Sequence, residues 1–172
     1  ELVLRSLVGS EVLRRRTAHL ALRRVWENHT YRHRAKVILD VLGLQRSSSK
    51  QPVVSVICST NRDSTLDHLL KQVAAQTYGN VELLVLGHGI QVDDDFAQRA
   101  VCLGIKNVTV LHGDKAQSLG ECLNTLVGAA TGNIIAKFDD DDYYLPNYLR
   151  DQVNTLTNMN ADLVGKGSIY FY

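Results

Sequence analysis

No stretch of this 172-residue chain approaches the run of roughly twenty apolar residues that spans a bilayer. The opening, ELVLRSLVGSEVLRRR, also lacks the charged, apolar, small-residue order of a signal peptide, so neither export nor a membrane span is expected. Cysteine is scarce. Cys58, Cys102 and Cys122 are odd in number, have no C-x-x-C spacing and fall in apolar segments, which reads them as small core residues in a reducing cytoplasm. Net charge is nearly absent as well, at +1, but it is unevenly spread. Residues 1–50 hold eleven Lys or Arg against four Asp or Glu, a surplus of +7, which leaves −6 for the remainder. A basic segment joined to an acidic domain implies two units. Its arginines lie along helical sequence without aromatic interleaving, so they read as a solvated helix face rather than a nucleic-acid surface. Contact with a partner, or with the inner face of a membrane, stays open.

Within the basic segment, Ser10 caps a helix over EVLRRRTAHLALRRVW, and Thr30 opens a second over YRHRAKVILDVL that Gly43 closes. Val37, Ile38, Val41 and Leu42 give the second helix an apolar face. Two such helices cannot enclose a core, so this face is expected to pack on the later domain or on something outside the chain. Residues 1–45 therefore read as a helical appendage. QRSSSKQP at 45–52 follows, its serine cluster and closing proline marking a linker over 46–51.

Residues 52–172 alternate short apolar runs with stretches of helical period, the pattern of an α/β fold with a mainly parallel sheet and flanking helices. The runs are VVSVIC (53–58), VELLVL (81–86), VTVL (108–111) and NIIAKF (133–138), with a further strand expected near Leu163 or in SIYFY. Helices are expected from Ser64, with Asp67 completing a variant capping box and Leu66, Leu69, Leu70, Val73 and Ala74 inward. Others should run from Phe96 to Leu103, closed by Gly104, and from Ser118 to Ala130 with Leu119, Cys122, Leu123, Leu126 and Val127 inward. A last one should start at Pro146 and bury Leu149, Val153 and Leu156. Continuous apolar strands imply a sheet covered on both faces, leaving chemistry to the strand tips, and open parallel sheets bind ligands beyond their carboxyl ends. Three tips stand out: Ser59–Thr60–Asn61–Arg62–Asp63, Gly87–His88–Gly89, and the run Asp139–Asp140–Asp141–Asp142.

Four adjacent carboxylates repel one another, and a divalent cation relieves that cost directly. Mg²⁺ and its like take one or two carboxylates, with waters and substrate phosphates completing the shell, so Asp-x-Asp marks a phosphate site by proxy. The bland alternative is a solvated acidic turn favouring the positive end of the helix that follows.

VVSVICSTNR, QTYGNVELLVLG and AATGNIIAKFDDDDYYLP, in order and at the right spacing from Pro52 to about Asp151, resemble the family 2 glycosyltransferases of GT-A fold. Those chains read approximately VSVIIPTYNR, QTYxxxEIIVVDDGS and AxGxYIxFLDxDDxxxP. The resemblance implies a nucleotide-diphospho-sugar transferase-like domain, of which this chain holds the nucleotide-binding part. It implies metal-dependent, inverting sugar transfer from a nucleotide-diphosphate sugar to a glycan or other hydroxyl acceptor, in polysaccharide or cell-surface glycan synthesis. On the matching positions Asp139 and Asp141 become metal ligands for Mg²⁺ or Mn²⁺. Ser59, Thr60, Arg62, Asn124, Asp139 and, by substitution, Asp140 become nucleotide-sugar contacts. The catalytic base of such enzymes comes from the acceptor-binding half and is expected beyond this chain's end, so the chain alone is not expected to transfer sugar.

The departures from the pattern are specific. Gly87 and His88 replace the paired aspartates after the second strand, CST replaces PTY, and Leu123 stands where arginine is common. His88 is read either as a hydrogen-bond donor to the nucleotide or as a solvated loop histidine. A non-catalytic nucleotide-sugar-binding or scaffold domain is the alternative these changes favour. A phosphatase with Asp-x-Asp is disfavoured because that motif follows a first strand, and a nucleotidyltransferase because CSTNRDS lacks a glycine-rich loop. The amino-terminal segment resembles, in ENHTYRHR, the closing helices of a spore-maturation-type glycosyltransferase domain, which makes it the end of a preceding domain. His29 and His33 there have the spacing of a helical metal pair but no third ligand.

Overall fold

The structure, a computed structural model, describes residues 2–44 and 51–167. It comprises two compact units, one of Glu1–Ser49 with Asp151–Tyr172 and one of Lys50–Arg150. The linker expected at 46–51 lies, but for Gln51, outside the described residues, as does SIYFY.

The amino-terminal part of the first unit holds three helices where two were expected: α1 (Leu2–Gly9), α2 (Glu11–Asn28) and α3 (Tyr31–Val41). LVLRSLVG carries no capping signal of its own, which is why the extra helix escaped the pattern. Ser10 separates it from α2 and caps α2 as expected, its hydroxyl accepting from Leu13 N at 3.3 Å. Thr30 starts α3 but spends its hydroxyl on His33 Nδ1 at 2.7 Å instead of a backbone amide. That bond occupies His33, His29 is the residue that ends α2, and among the described residues no group of three His, Cys, Asp or Glu forms around them. Gly43, at φ +68°, closes the segment in the left-handed region that glycine tolerates. The apolar face of α3, expected to pack on the later domain or on something outside the chain, is exposed at Val37, Ile38, Val41 and Leu42.

In the second unit, β1 (Val54–Thr60) leads through a 3-10 turn (Asp63–Thr65) into α4 (Leu66–Ala74). Then follow β2 (Val81–His88), α5 (Phe96–Cys102), β3 (Asn107–Gly113), α6 (Leu119–Ala129) and β4 (Ile134–Lys137). The strands form one parallel sheet in the order β3-β2-β1-β4. Because all four run the same way, all four carboxyl ends lie along one edge. Only the inner strands are covered on both faces: Val54–Cys58 and Leu83–Leu86 are buried, whereas β3 and β4 alternate between exposed and half-buried residues. The expectation of a fully covered sheet fails at its edges. Ile57, Leu84 and Leu86 pack with Cys122 and Leu126 of α6, which defines one face of the sheet.

Several local expectations are corrected. Ser64 does not cap α4, since the chain enters that helix through the 3-10 turn and Thr65 stands at the cap without a side-chain bond. Leu66, Leu69, Leu70 and Val73 are buried as the spacing predicted. On α6, Ser118 and Glu121 form a reciprocal capping box, but only Cys122 and Leu126 are buried, with Leu123 partly so; Leu119 and Val127 are exposed. Cys102 is exposed too, at the end of α5, while Cys58 and Cys122 are core residues. The last helix, α7 (Tyr148–Met159), starts two residues after Pro146. It buries Leu149 and Val153 and half-buries Leu156. No strand forms near Leu163. In the first unit, Asp151 is buried and accepts from Arg23 Nε at 2.7 Å and His19 Nε2 at 2.9 Å, joining the carboxy-terminal segment to α2.

Candidate functional site at the carboxyl edge of the sheet

The acidic run follows β4 at the sheet's carboxyl edge, and its carboxylates meet different partners. Lys137 pairs in register with Ile57, so it belongs to the α6 face, and Phe138 extends the ladder by one more bond, its N–H donating to Ile57 O at 3.0 Å. Asp140 follows Phe138 on the opposite face. There it meets Thr60 and Arg62, whose hydroxyl and guanidinium donate to its carboxylate, and Thr65 Oγ1, which donates at 2.8 Å. Arg62 Nε adds a second guanidinium bond at 3.1 Å. Burial pushes the Asp140 carboxyl up, but the bonds from Arg62, Thr60 and Thr65 outweigh it and hold the group below its ordinary value. Arg62 is in turn held more firmly protonated by Asp140 and Asp141. The same carboxylates bear on Cys58, whose thiol is pushed up to about 12, first by burial and then by the charges of Asp140 and Asp139.

An aromatic and amide framework fixes the backbone of the turn. Tyr144 stacks on Phe138 with ring centres 3.7 Å apart, Tyr148 meets both rings edge-on, and Tyr144 Oη accepts from Asp139 N at 2.9 Å. Gln72 Oε1 accepts from Tyr144 N at 2.9 Å. Gln76 bridges from α4, its Nε2 donating to the carbonyls of Tyr144 and Leu145 and its Oε1 accepting from Leu149 N. His68 Nε2 bonds the Asp142 carbonyl at 2.9 Å. These contacts splay the four carboxylates. Asp139 pairs with Lys137 Nζ at 2.5 Å and Asp141 with Arg62 Nη2 at 2.9 Å, and both carboxylates stay about half exposed.

The structure therefore brings together Ser59, Thr60, Arg62, Asp139, Asp140 and Asp141, with different parts to play. Thr60 and Asp140, expected as nucleotide contacts, are buried and spend their polar atoms on each other and on Thr65 and Arg62; alternation turns them away from the α6 face. Ser59 pairs in register with Leu86 and so lies on the α6 face, and His88, two residues beyond Leu86, shares it. Ser59 Oγ and His88 Nε2 are buried polar atoms without a hydrogen-bond partner, as are Arg99 Nε and Asn154 Nδ2 away from this edge. Asn124 lies exposed on α6, with no hydrogen bond to these residues. Lys137, Thr65, Tyr144, Gln72 and Gln76 were not found from sequence. Only Lys137 had a legible signal, a cation two residues ahead of Asp139 in an otherwise apolar strand.

Gly87, near the end of β2, has no room for a side chain. A Cβ there would stand 2.6 Å from Ile90 O and 3.1 Å from Val92 Cγ2, so the backbone folds back on the strand end too closely for any side chain.

For a divalent cation, Asp139 and Asp141 offer hard oxygen donors, half exposed at a sheet edge, and such ions need only one or two carboxylates when water and phosphate supply the rest. The donor set fits Mg²⁺ or Mn²⁺ on those terms. Among the described residues no three His, Cys, Asp or Glu converge into a cage that would bind metal unaided.

The model of glycosyl transferase family 2 matches residues 55–171. The chain is similar to glycosyltransferase AglE of Haloferax volcanii, 30% identical over 127 residues that make up 72% of this chain and 41% of AglE. It is also similar to the putative colanic acid biosynthesis glycosyl transferase WcaA of Escherichia coli, 27% identical over 127 residues, 69% of this chain and 46% of that protein. The chain thus spans less than half the length of these relatives. Among solved structures, a mannosyltransferase from Pyrobaculum calidifontis, PcManGT in complex with GDP-Man and Mn²⁺, superposes with a TM-score of 0.53 at 22% identity, covering 81% of this chain and 41% of that one. The shared architecture is the GT-A fold, a mostly parallel sheet with flanking helices.

Proposed function

Because this chain belongs to glycosyl transferase family 2, we propose that it carries the donor-binding part of a metal-dependent, inverting glycosyltransferase that uses a nucleotide-diphosphate sugar. The observation that carries this reading is one sheet edge that ends in half-exposed Asp139 and Asp141 after β4 and in the unpartnered Ser59 Oγ and His88 Nε2 at the ends of β1 and β2. Asp141, with Asp139, would hold Mg²⁺ or Mn²⁺, which when bound acts as a Lewis acid against charge on the departing diphosphate. Ser59 and His88 donate or accept at the nucleotide on the α6 face, and Asn124 and Arg62 flank it. Thr60 and Asp140 act indirectly, by tying the loop after β1 to the acidic turn. The acceptor is a glycan or another hydroxyl compound, and the likeness to WcaA, a putative colanic acid biosynthesis glycosyl transferase, favours a cell-surface polysaccharide. No helix among the described residues is long and apolar enough to cross a membrane.

Calorimetry of UDP and GDP against the chain, with Mn²⁺ and with chelator, tests this reading. Metal should strengthen binding, because clustered carboxylates repel a diphosphate until the local charge is reversed. Asp141→Asn should weaken metal-dependent binding by about 10- to 100-fold, the range lost when metal sites are disturbed, with the fold intact by circular dichroism. Equal nucleotide affinity with metal and with chelator would sink the assignment. Donor hydrolysis by a longer protein separates an enzyme from a binding domain that has lost activity.

A further inference from the structure

Lys137 has no part in the site as read from the sequence. It is half exposed on an edge strand, its ammonium rests on Asp139 at 2.5 Å, and register with Ile57 puts it on the α6 face. That is the face of Ser59 Oγ and His88 Nε2, the two buried polar atoms without partners. Arg62 does the corresponding job at Asp141, so each proposed metal-binding carboxylate is balanced by a side-chain cation. The two cations differ in their freedom. Arg62 is anchored by further bonds to Asp140, whereas among the described residues Lys137 pairs with Asp139 alone, on a flexible four-carbon stem. A dication on Asp139 would repel the ammonium beside it, and a diphosphate arriving with that dication offers anionic oxygens to the displaced charge.

We propose that Lys137 is a donor-binding residue that exchanges partners: it neutralises Asp139 in the free protein and moves to the donor's diphosphate when a divalent cation takes that carboxylate. This rests on the donor-site reading above. Its consequence is a pair of opposed effects from a single side chain. Lys137 competes with the metal for Asp139, and it assists the metal in holding the nucleotide.

The test is two titrations of the 172-residue chain, one with Mn²⁺ alone and one with UDP or GDP at saturating Mn²⁺, on wild type, Lys137→Met and Lys137→Arg. Lys137→Met should bind Mn²⁺ about two- to fivefold more tightly, as expected from releasing an exposed ion pair. It should bind nucleotide about tenfold more weakly, as expected from losing a charge-assisted contact. Lys137→Arg, which keeps the charge, should recover most of the nucleotide affinity. A Met variant with wild-type nucleotide affinity, or one in which both affinities fall together as a structural role would have it, overturns the proposal. Wild-type protein that binds neither Mn²⁺ nor nucleotide overturns the donor-site reading and this proposal with it.

Discussion

Four successive aspartates share one chemistry but have different surroundings, set by the partners that each meets beyond the end of β4. Asp139 and Asp141 stay half exposed and are paired through single contacts, whereas Asp140 is buried and takes bonds from Thr60, Thr65 and Arg62. Asp140→Asn keeps the shape but replaces an all-acceptor group with one that must also donate, facing three donors. The variant should lose about 1 to 3 kcal/mol of stability, the cost of leaving buried polar groups unsatisfied, read as a fall in the urea midpoint. The pH dependence has a definite sign. A carboxyl held below its ordinary value of 3.8 contributes stability that is present above that value and is lost as pH falls through the folded-state pKa. The gap between wild type and Asp140→Asn should therefore be constant from neutrality down to about pH 5 and close below about pH 4, which urea melts across that range will check. A gap that widens in acid would mean the carboxylate is not the stabilised form.

At the scale of elements, what was legible followed from periodicity and caps. The inner strands β1 and β2 are continuous apolar runs, and α4 shows its buried face in the spacing of Leu66, Leu69, Leu70 and Val73. What was not legible depended on neighbours. Whether Leu119 or Val127 is covered depends on what lies over α6, and the helical period gives only the stripe, not its width. The entry to α4 looked like a cap at Ser64, but Thr65 is drawn toward Asp140, 75 residues away, and the chain tightens into a 3-10 turn. The acidic run announced the site, yet the division of labour within it could not be read without the pairing of β4 with β1. The end of β2 makes the same point: the missing aspartates favoured a non-catalytic reading, and at one of the two positions, Gly87, the backbone leaves no room for a Cβ. Gly87→Ala should accordingly destabilise the second unit by about 1 to 3 kcal/mol, as overpacking does, with a lower melting temperature and weakened nucleotide binding through His88 next to it. A variant as stable as wild type would show that the loop has another conformation open to it, and would restore the reading of Gly87 as a lost carboxylate.

At the scale of the molecule, nearly every residue proposed to bind the donor lies between Ser59 and Asp141, inside the unit Lys50–Arg150, so donor binding and sugar transfer make different demands. Inverting transfer needs a carboxylate free to take a proton from the acceptor hydroxyl, within hydrogen-bond reach and with a pKa near the working pH. After the acidic run, the described carboxylates are Asp151 and Asp162. Asp151 is unsuited: burial pushes its carboxyl up, but the bonds from Arg23 and His19 prevail and hold it below the usual carboxylate range, the opposite of what a base requires. Its oxygens are occupied by those partners, and Lys166 stands 3.7 Å away. Asp162 is exposed in an irregular segment of the other unit. Within the acidic run, Asp139 and Asp141 are proposed to hold the metal and pair with Lys137 and Arg62, and Asp140 is bound by Arg62. The 172-residue chain, which spans 41% of AglE and 46% of WcaA, should therefore bind UDP or GDP with Mn²⁺ but transfer no sugar to added acceptors. Radiolabelled donor, followed for both hydrolysis and product formation, measures this directly. Metal-dependent transfer at the rate of a full-length relative would place the base among the residues present, and Asp142, the one carboxylate of the run with no partner assigned to its side chain, would be the first to substitute.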